Sequence, residues 1–280
     1  MEVLPIVKEG IESIVSDKRR VIGVYYPSTL PYCLRKEYYA YFEPEHLDFE
    51  TRKTFAIGNA FHALIQKGLI FYKKTHPEVD IVNELESEGR TDCPVCGETF
   101  VHDEELQDHL YTEFYYREGD IELHGRPDSI ILNESRWTVI EIKSHGNLIY
   151  LQAPEDRHMI QANFYMHRFE ELGKPKDASL LYINKAKRVD GQAYDEFKEF
   201  ANLQYDEGLF RMLVDRAWEL HGKLQNQELP MPEAYLRGGT TDYECKNCQF
   251  RERCYKQIME TAFGKENMEA LEKAITERRG

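Results

Sequence analysis

Two acids and an amine, Asp128, Glu141 and Lys143, stand in a stretch whose other residues are those of a buried sheet. They punctuate residues 124–146, HGRPDSIILNESRWTVIEIKSHG, where two apolar, β-branched runs flank the polar residues 133–136. That pattern predicts a β-hairpin. Asp128 opens its first strand, while Glu141 and Lys143 end the second, two positions apart. Side chains alternate along a strand, so Glu141 and Lys143 share one face and Ile142 enters the core. A buried strand gains nothing from ending in a carboxylate and an ammonium. The economical chemistry is a hard cation held by Asp128 and Glu141, with Lys143 beside whatever that cation activates.

The order Pro127-Asp128, twelve residues, then Glu141-Ile142-Lys143 resembles the signature of PD-(D/E)xK nucleases. Two further features resemble the RecB-type branch of that superfamily. Gly58-x3-His62 falls in a helix predicted over 55–72, whose apolar positions 57, 61, 64, 65 and 69 follow the helical period. Gln161-x3-Tyr165 falls in a helix predicted over 155–172, where residues four apart share a face. The resemblance implies Mg²⁺ or Mn²⁺ held by His62, Asp128, Glu141 and the Ile142 carbonyl. It also implies that Lys143 acts on water or on transition-state charge, with Gln161 and Tyr165 supporting the lysine and the DNA strand. From the residues alone, His62 is equally a locally bonded helix histidine, and Arg126 is either a phosphate contact or a surface ion pair.

The six cysteines fall in two groups. Cys245-x2-Cys248-x5-Cys254 leaves one coordination position open, and Cys33 is the remaining cysteine outside the second group. Three plus one, from opposite ends of the chain, suggest a [4Fe–4S] cluster; a Cys₄ zinc site and a [2Fe–2S] cluster compete with it. The same arrangement occurs in iron–sulfur nucleases of the RecB group. The second group, Cys93-x2-Cys96 with His109, resembles the start of a C2H2 zinc finger. It lacks the second histidine, so His102 is the substitute fourth ligand and Glu113 a further option. The bland role for such a knuckle is to staple an insertion with Zn²⁺. The insertion is acidic and poorly suited to phosphate.

Fold class follows from the alternation of elements. Alternating strands and helices predict an α/β chain, and the resemblance implies a restriction-endonuclease-like core with a mixed central sheet flanked by helices, together with a helical cysteine region and a small knuckle insertion. Other predicted elements are a helix over 30–42 capped by Ser28, strands over 80–85, 111–117, 121–124 and 178–184, and a long helical region over 197–224. The expected division is 1–256 for the nuclease unit, 90–113 for the insertion and 257–280 for a helical tail. Thirty-six basic against 50 acidic residues give a net charge of −14, so any nucleic-acid contact needs a local groove or bridging cations. No apolar run approaches the ~20 residues of a membrane span, and the N-terminus lacks a secretory core, which predicts a cytoplasmic protein.

In size and motif order the chain most resembles the CRISPR-associated RecB-like exonuclease, the fourth Cas family. That implies trimming of single-stranded DNA ends beside CRISPR integrase proteins. Rival expectations are a repair or recombination nuclease, and a silent metal-stabilised DNA-binding adaptor.

Overall fold

The computed structural model describes residues 20–43, 49–83, 93, 98–99, 114–133, 136–174, 176–185 and 194–263. Within these, strands β1 (Val24–Tyr25), β4 (Ile121–His124) and β3 (Tyr115–Glu118) form a small sheet in that spatial order. The main sheet runs β2 (Asp80–Asn83), β5 (Ser129–Leu132), β6 (Trp137–His145), β7 (Lys176–Asn184) and β8 (Phe197–Leu203). β2, β5 and β6 are antiparallel neighbours, β6 and β7 are parallel, and β8 returns antiparallel on β7. The sheet is therefore mixed, as expected. Helix α3 (Asp156–Glu171) makes the crossover that the parallel β6–β7 pair requires.

The hairpin forms where alternation placed it, with Ser129 opposite Ile140 and Leu132 opposite Trp137. Ile142 is fully buried, and Val139, Ala178, Leu180 and Tyr182 continue the same core. Apolar residues of α3 (Ala162, Met166, Phe169) and of α4 (Glu207–Gln225; Phe210, Leu213, Ala217) pack in the same core. Helix α2 (Phe49–Thr75) bears His62. It begins six residues earlier than predicted, because Glu50, Arg52 and Lys53 are good helix formers and extend the helix by more than a turn.

The predicted long helix over 197–224 is a strand followed by a helix. Residues 197–203 pair with β7, Phe200 packs edge-on against Tyr182, and Glu199 accepts from the Ser179 hydroxyl at 2.6 Å. Asp206 then caps α4 by accepting from Gly208 and Leu209 backbone N–H groups, an N-cap signal that divides the segment. Near the N-terminus, helix α1 is Leu34–Phe42, so Ser28 does not cap it; Cys33 occupies the capping position without a side-chain bond. Turns over 27–32 precede it. The strand predicted over 111–117 is Tyr115–Glu118 within the described residues.

The C-terminal helices α5 (Glu233–Gly238), α6 (Tyr243–Lys246) and α7 (Arg251–Phe263) fold back on the N-terminal turn. Arg216 of α4 donates to the Leu30 and Tyr32 carbonyls and to both oxygens of Glu233. Glu233 in turn accepts from Leu34 N–H, and Glu244 from Cys33 N–H, each at 2.9 Å. Helix α7 continues past the expected boundary at 256. Among the described residues no helix is long and apolar enough to cross a membrane.

Candidate active site

Asp128 sits just before β5, where the backbone leaves Gly125-Arg126-Pro127 and enters the sheet. Its carboxylate is held from two sides. Oδ1 meets His62 Nδ1 at 2.9 Å, and Oδ2 accepts from Ile142 N–H at 2.6 Å. In a strand, a residue's N–H and C=O point to the same edge. The Ile142 carbonyl therefore shares the edge that faces Asp128, as the predicted ligand set requires.

Glu141 and Lys143 emerge on one face of β6. Lys143 Nζ donates to Glu141 Oε1 at 2.5 Å and to Gln161 Oε1 at 2.8 Å. Gln161 Nε2 donates to Tyr165 O–H at 3.1 Å, so the amide and phenol four residues apart on α3 do share a face. The result is one hydrogen-bonded line, Glu141–Lys143–Gln161–Tyr165, running from sheet to helix. It borders a cleft of about 260 Å³ that Gly125, Arg126 and Asp128 also line. Gly125 is required there by space, since a Cβ would lie 2.9 Å from Tyr165 Cε1 and 3.1 Å from Phe164 Cε1.

The charges are strongly coupled. Burial pushes Glu141 up to about 7, against the attraction of Lys143 and with the help of the Asp128 charge. Burial also works against the Lys143 ammonium, yet Glu141 and Asp128 together raise it above its ordinary value. The two shifts agree once both acids are counted, because two carboxylates face one amine. Burial likewise opposes the His62 imidazolium, but its bond to Asp128 and the nearby acids leave it raised.

Among the described residues, no three His, Cys, Asp or Glu side chains stand as a preformed metal group. Protein donors occupy the acid oxygens, with one exception: Glu141 Oε2 is buried and has no hydrogen-bond partner. A buried carboxylate oxygen without a donor is costly, and a cation removes that cost. Two carboxylates and a backbone carbonyl edge are hard oxygen donors that suit Mg²⁺ or Mn²⁺, and the imidazole beside them is a borderline nitrogen donor.

The model of the PD-(D/E)XK nuclease superfamily matches residues 28–255. The chain belongs to the PD-(D/E)XK nuclease superfamily. Members of this superfamily are typically nucleases that use Mg²⁺ or Mn²⁺. Among solved structures, one described as the crystal structure of SSO0001 is 18% identical, with a TM-score of 0.48, covering 89% of this chain and 95% of that one. No curated protein matches.

In this nuclease fold, Cys33, Cys245, Cys248 and Cys254 line one small cavity of about 30 Å³. All four thiols are free. Burial pushes Cys248 up to about 11 and raises Cys245 and Cys254, and the neighbouring thiols add to each shift. The four residues come from both chain ends, and among the described residues they do not stand as a preformed metal group. Of the predicted knuckle, Cys93 is buried, with its N–H donating to the Glu98 carbonyl at 2.7 Å. Cys96, His102, His109 and Glu113 lie outside the described residues.

Several polar residues of the cleft were not anticipated, among them Tyr26, His124 and Gln66. Gln66 stands one turn beyond His62 on α2 and donates from Nε2 to the Asp128 backbone carbonyl at 2.8 Å. The i, i+4 spacing from His62 was the available signal. Its amphipathic helix masks it, because a Gln there reads as the solvated face.

Proposed function

We propose that this nuclease is a divalent-cation-dependent enzyme that hydrolyses DNA and trims single-stranded ends. The observation that carries the reading is the unpartnered, buried Glu141 Oε2 beside Asp128, at the head of the line through Lys143, Gln161 and Tyr165. His62, Asp128, Glu141 and the Ile142 carbonyl hold Mg²⁺ or Mn²⁺. When bound, the cation supplies Lewis-acid polarisation of the scissile phosphate. Lys143 orients the attacking water and offsets the charge that builds on the phosphate. Gln161 fixes the ammonium, while Tyr165 fixes Gln161 and borders the DNA strand. Arg126, on the cleft wall, takes a phosphate.

The finer assignment is to CRISPR adaptation, with CRISPR integrase proteins as partners in the cytoplasm. Support comes from motif order and from the four cysteines at one cavity, which hold a [4Fe–4S] cluster in this reading. Residues 1–256 form the nuclease unit, the 90–113 insertion takes Zn²⁺ through Cys93, Cys96, His102 and His109, and 257–280 is a tail.

Lys143→Ala in the full chain should keep the fold and metal content but abolish Mn²⁺-dependent cleavage of end-labelled single-stranded DNA. Unchanged cleavage would remove the lysine from the mechanism. Anaerobic purification should return roughly four irons and one zinc per chain. Two zincs without iron would overturn the cluster.

A further inference from the structure

Gln66 is 1% exposed, and one half of its side chain has no partner. Its Nε2 donates to the Asp128 backbone carbonyl, which can only accept, so the orientation of the amide is fixed. Oε1 therefore faces away from that carbonyl, buried and without a hydrogen bond, and Gln66 lines the same cleft as Asp128 and Glu141. The helix is tied down at this residue, since the Asn83 side chain donates to the Gln66 backbone carbonyl at 3.3 Å. Asn83 pairs with Ser129, the residue that follows Asp128, so β2 holds Gln66 and Asp128 in one frame.

An apolar side chain here would give up the bond to the Asp128 carbonyl, which also accepts from the Ser129 hydroxyl at 2.7 Å, but would leave no buried amide oxygen unsatisfied. The fold instead keeps a buried, unpartnered oxygen on each of two residues that line one cleft, Gln66 Oε1 and Glu141 Oε2. We infer that Gln66 is a further member of the cation site, its amide nitrogen locking the Asp128 backbone and its amide oxygen supplying a neutral ligand to the cation's shell. A neutral donor suits the place. A third carboxylate beside Asp128 and Glu141 would repel both, whereas an amide adds an oxygen without charge. The inference rests on the cation reading above.

The test is an Mn²⁺ titration of the full chain, followed by the electron paramagnetic resonance of free Mn²⁺, with melting curves recorded metal-free and metal-loaded. Gln66→Met should weaken Mn²⁺ binding about tenfold or more, the usual cost of removing a group that supports a metal site. It should also lose most of the rise in melting temperature that Mn²⁺ gives the wild type. Gln66→Glu, which restores an oxygen but not the Asp128 bond, should bind Mn²⁺ more tightly than Gln66→Met. Asp128→Ala separates the two ideas, since it should lose binding whatever Gln66 does. If Gln66→Met binds like wild type while Asp128→Ala does not, Gln66 is outside the site and the cation reading stands. A wild-type chain that takes up no Mn²⁺ overturns both. If Gln66→Met does not fold, Gln66→Glu decides: a charged ligand that lacks the Asp128 bond should shift Mn²⁺ affinity away from wild type, and an affinity unchanged from wild type overturns the assignment.

Discussion

Replacing Gly125 with alanine tests whether the cleft is as tightly built as its contacts require. The added Cβ would lie 2.9 Å from Tyr165 Cε1, 3.1 Å from Phe164 Cε1 and 3.1 Å from Pro27 Cγ, ~0.3–0.5 Å short of ordinary contact on three sides. Tyr165 and Phe164 are 2% and 3% exposed, so neither ring has room to swing away. Overpacking of this kind costs about 1–3 kcal/mol. Loss of unfolded-state freedom on going from glycine to alanine returns about 0.4–1 kcal/mol. The net loss of roughly 1–2 kcal/mol lowers the melting temperature by about 2–4 °C in a chain of this size. Activity should fall further than stability. The strain falls on Tyr165, whose hydroxyl accepts from the Gln161 amide that holds Lys143 at 2.8 Å, and sub-ångström shifts of a reacting group cost about tenfold or more. Differential scanning fluorimetry and cleavage of end-labelled single-stranded DNA measure the two effects on one preparation. An alanine variant that melts with the wild type and cleaves at its rate would refute the packing argument.

Three other outcomes follow from the same contacts. Glu141 ionises near about 7, and a cation takes only the ionised carboxylate, so Mn²⁺ affinity should fall as pH drops below that value and level off above it. Titrations at about pH 5.5 and pH 8 should differ about tenfold or more, and equal affinities would remove Glu141 from the ligand set. His158 is buried against the Tyr182 hydroxyl, and burial, with Lys143 and Arg157 nearby, lowers it to about 2. The unfolded imidazole takes its proton near about 6.5 while the native one does not, so the unfolded state binds more protons below that value. Stability is therefore lost as pH falls through it, by about 2 kcal/mol near pH 5, and His158→Asn should flatten the pH profile of the denaturant midpoint. Arg216→Met strands the Leu30 and Tyr32 carbonyls and the half-buried Glu233. It should cost about 2–3 kcal/mol in urea unfolding, and a midpoint unchanged from wild type would show that the clasp is dispensable.

How far the candidate site could be read in advance depended on the period of each element. Glu141, Ile142 and Lys143 were legible because a strand's two-residue alternation assigns faces without reference to anything distant, and Ile142 is fully buried. Gln161 and Tyr165 were legible for the helical equivalent, and their 3.1 Å bond follows. The segment 197–206 misled for the same reason in reverse. Its mix of apolar and charged residues passes for a helix face until β7 offers an edge and Phe200 finds Tyr182. Ser28 carried a helix-start signal, but residues 27–32 are held as turns, partly by Arg216 from a helix 180-odd residues away. Nothing local to Gln66 marks it as buried, because its partner is a backbone carbonyl on another element.

The sequence by itself determined the residue types, the hairpin, the two amphipathic helices and the order in which acids, amine, amide and phenol occur along the chain. Those are consequences of local sterics and of periods of 2 and 3.6, which operate whatever the rest of the molecule does. Tertiary structure alone decided what these groups do to one another. It brought His62 against Asp128 across 66 residues, set two acids facing one buried amine, and left two cleft-lining residues, Glu141 and Gln66, each with a buried unsatisfied oxygen. It also gathered Cys33 with three cysteines more than 200 residues away. Burial and charge coupling act through space rather than along the chain, so distances in sequence cannot supply them.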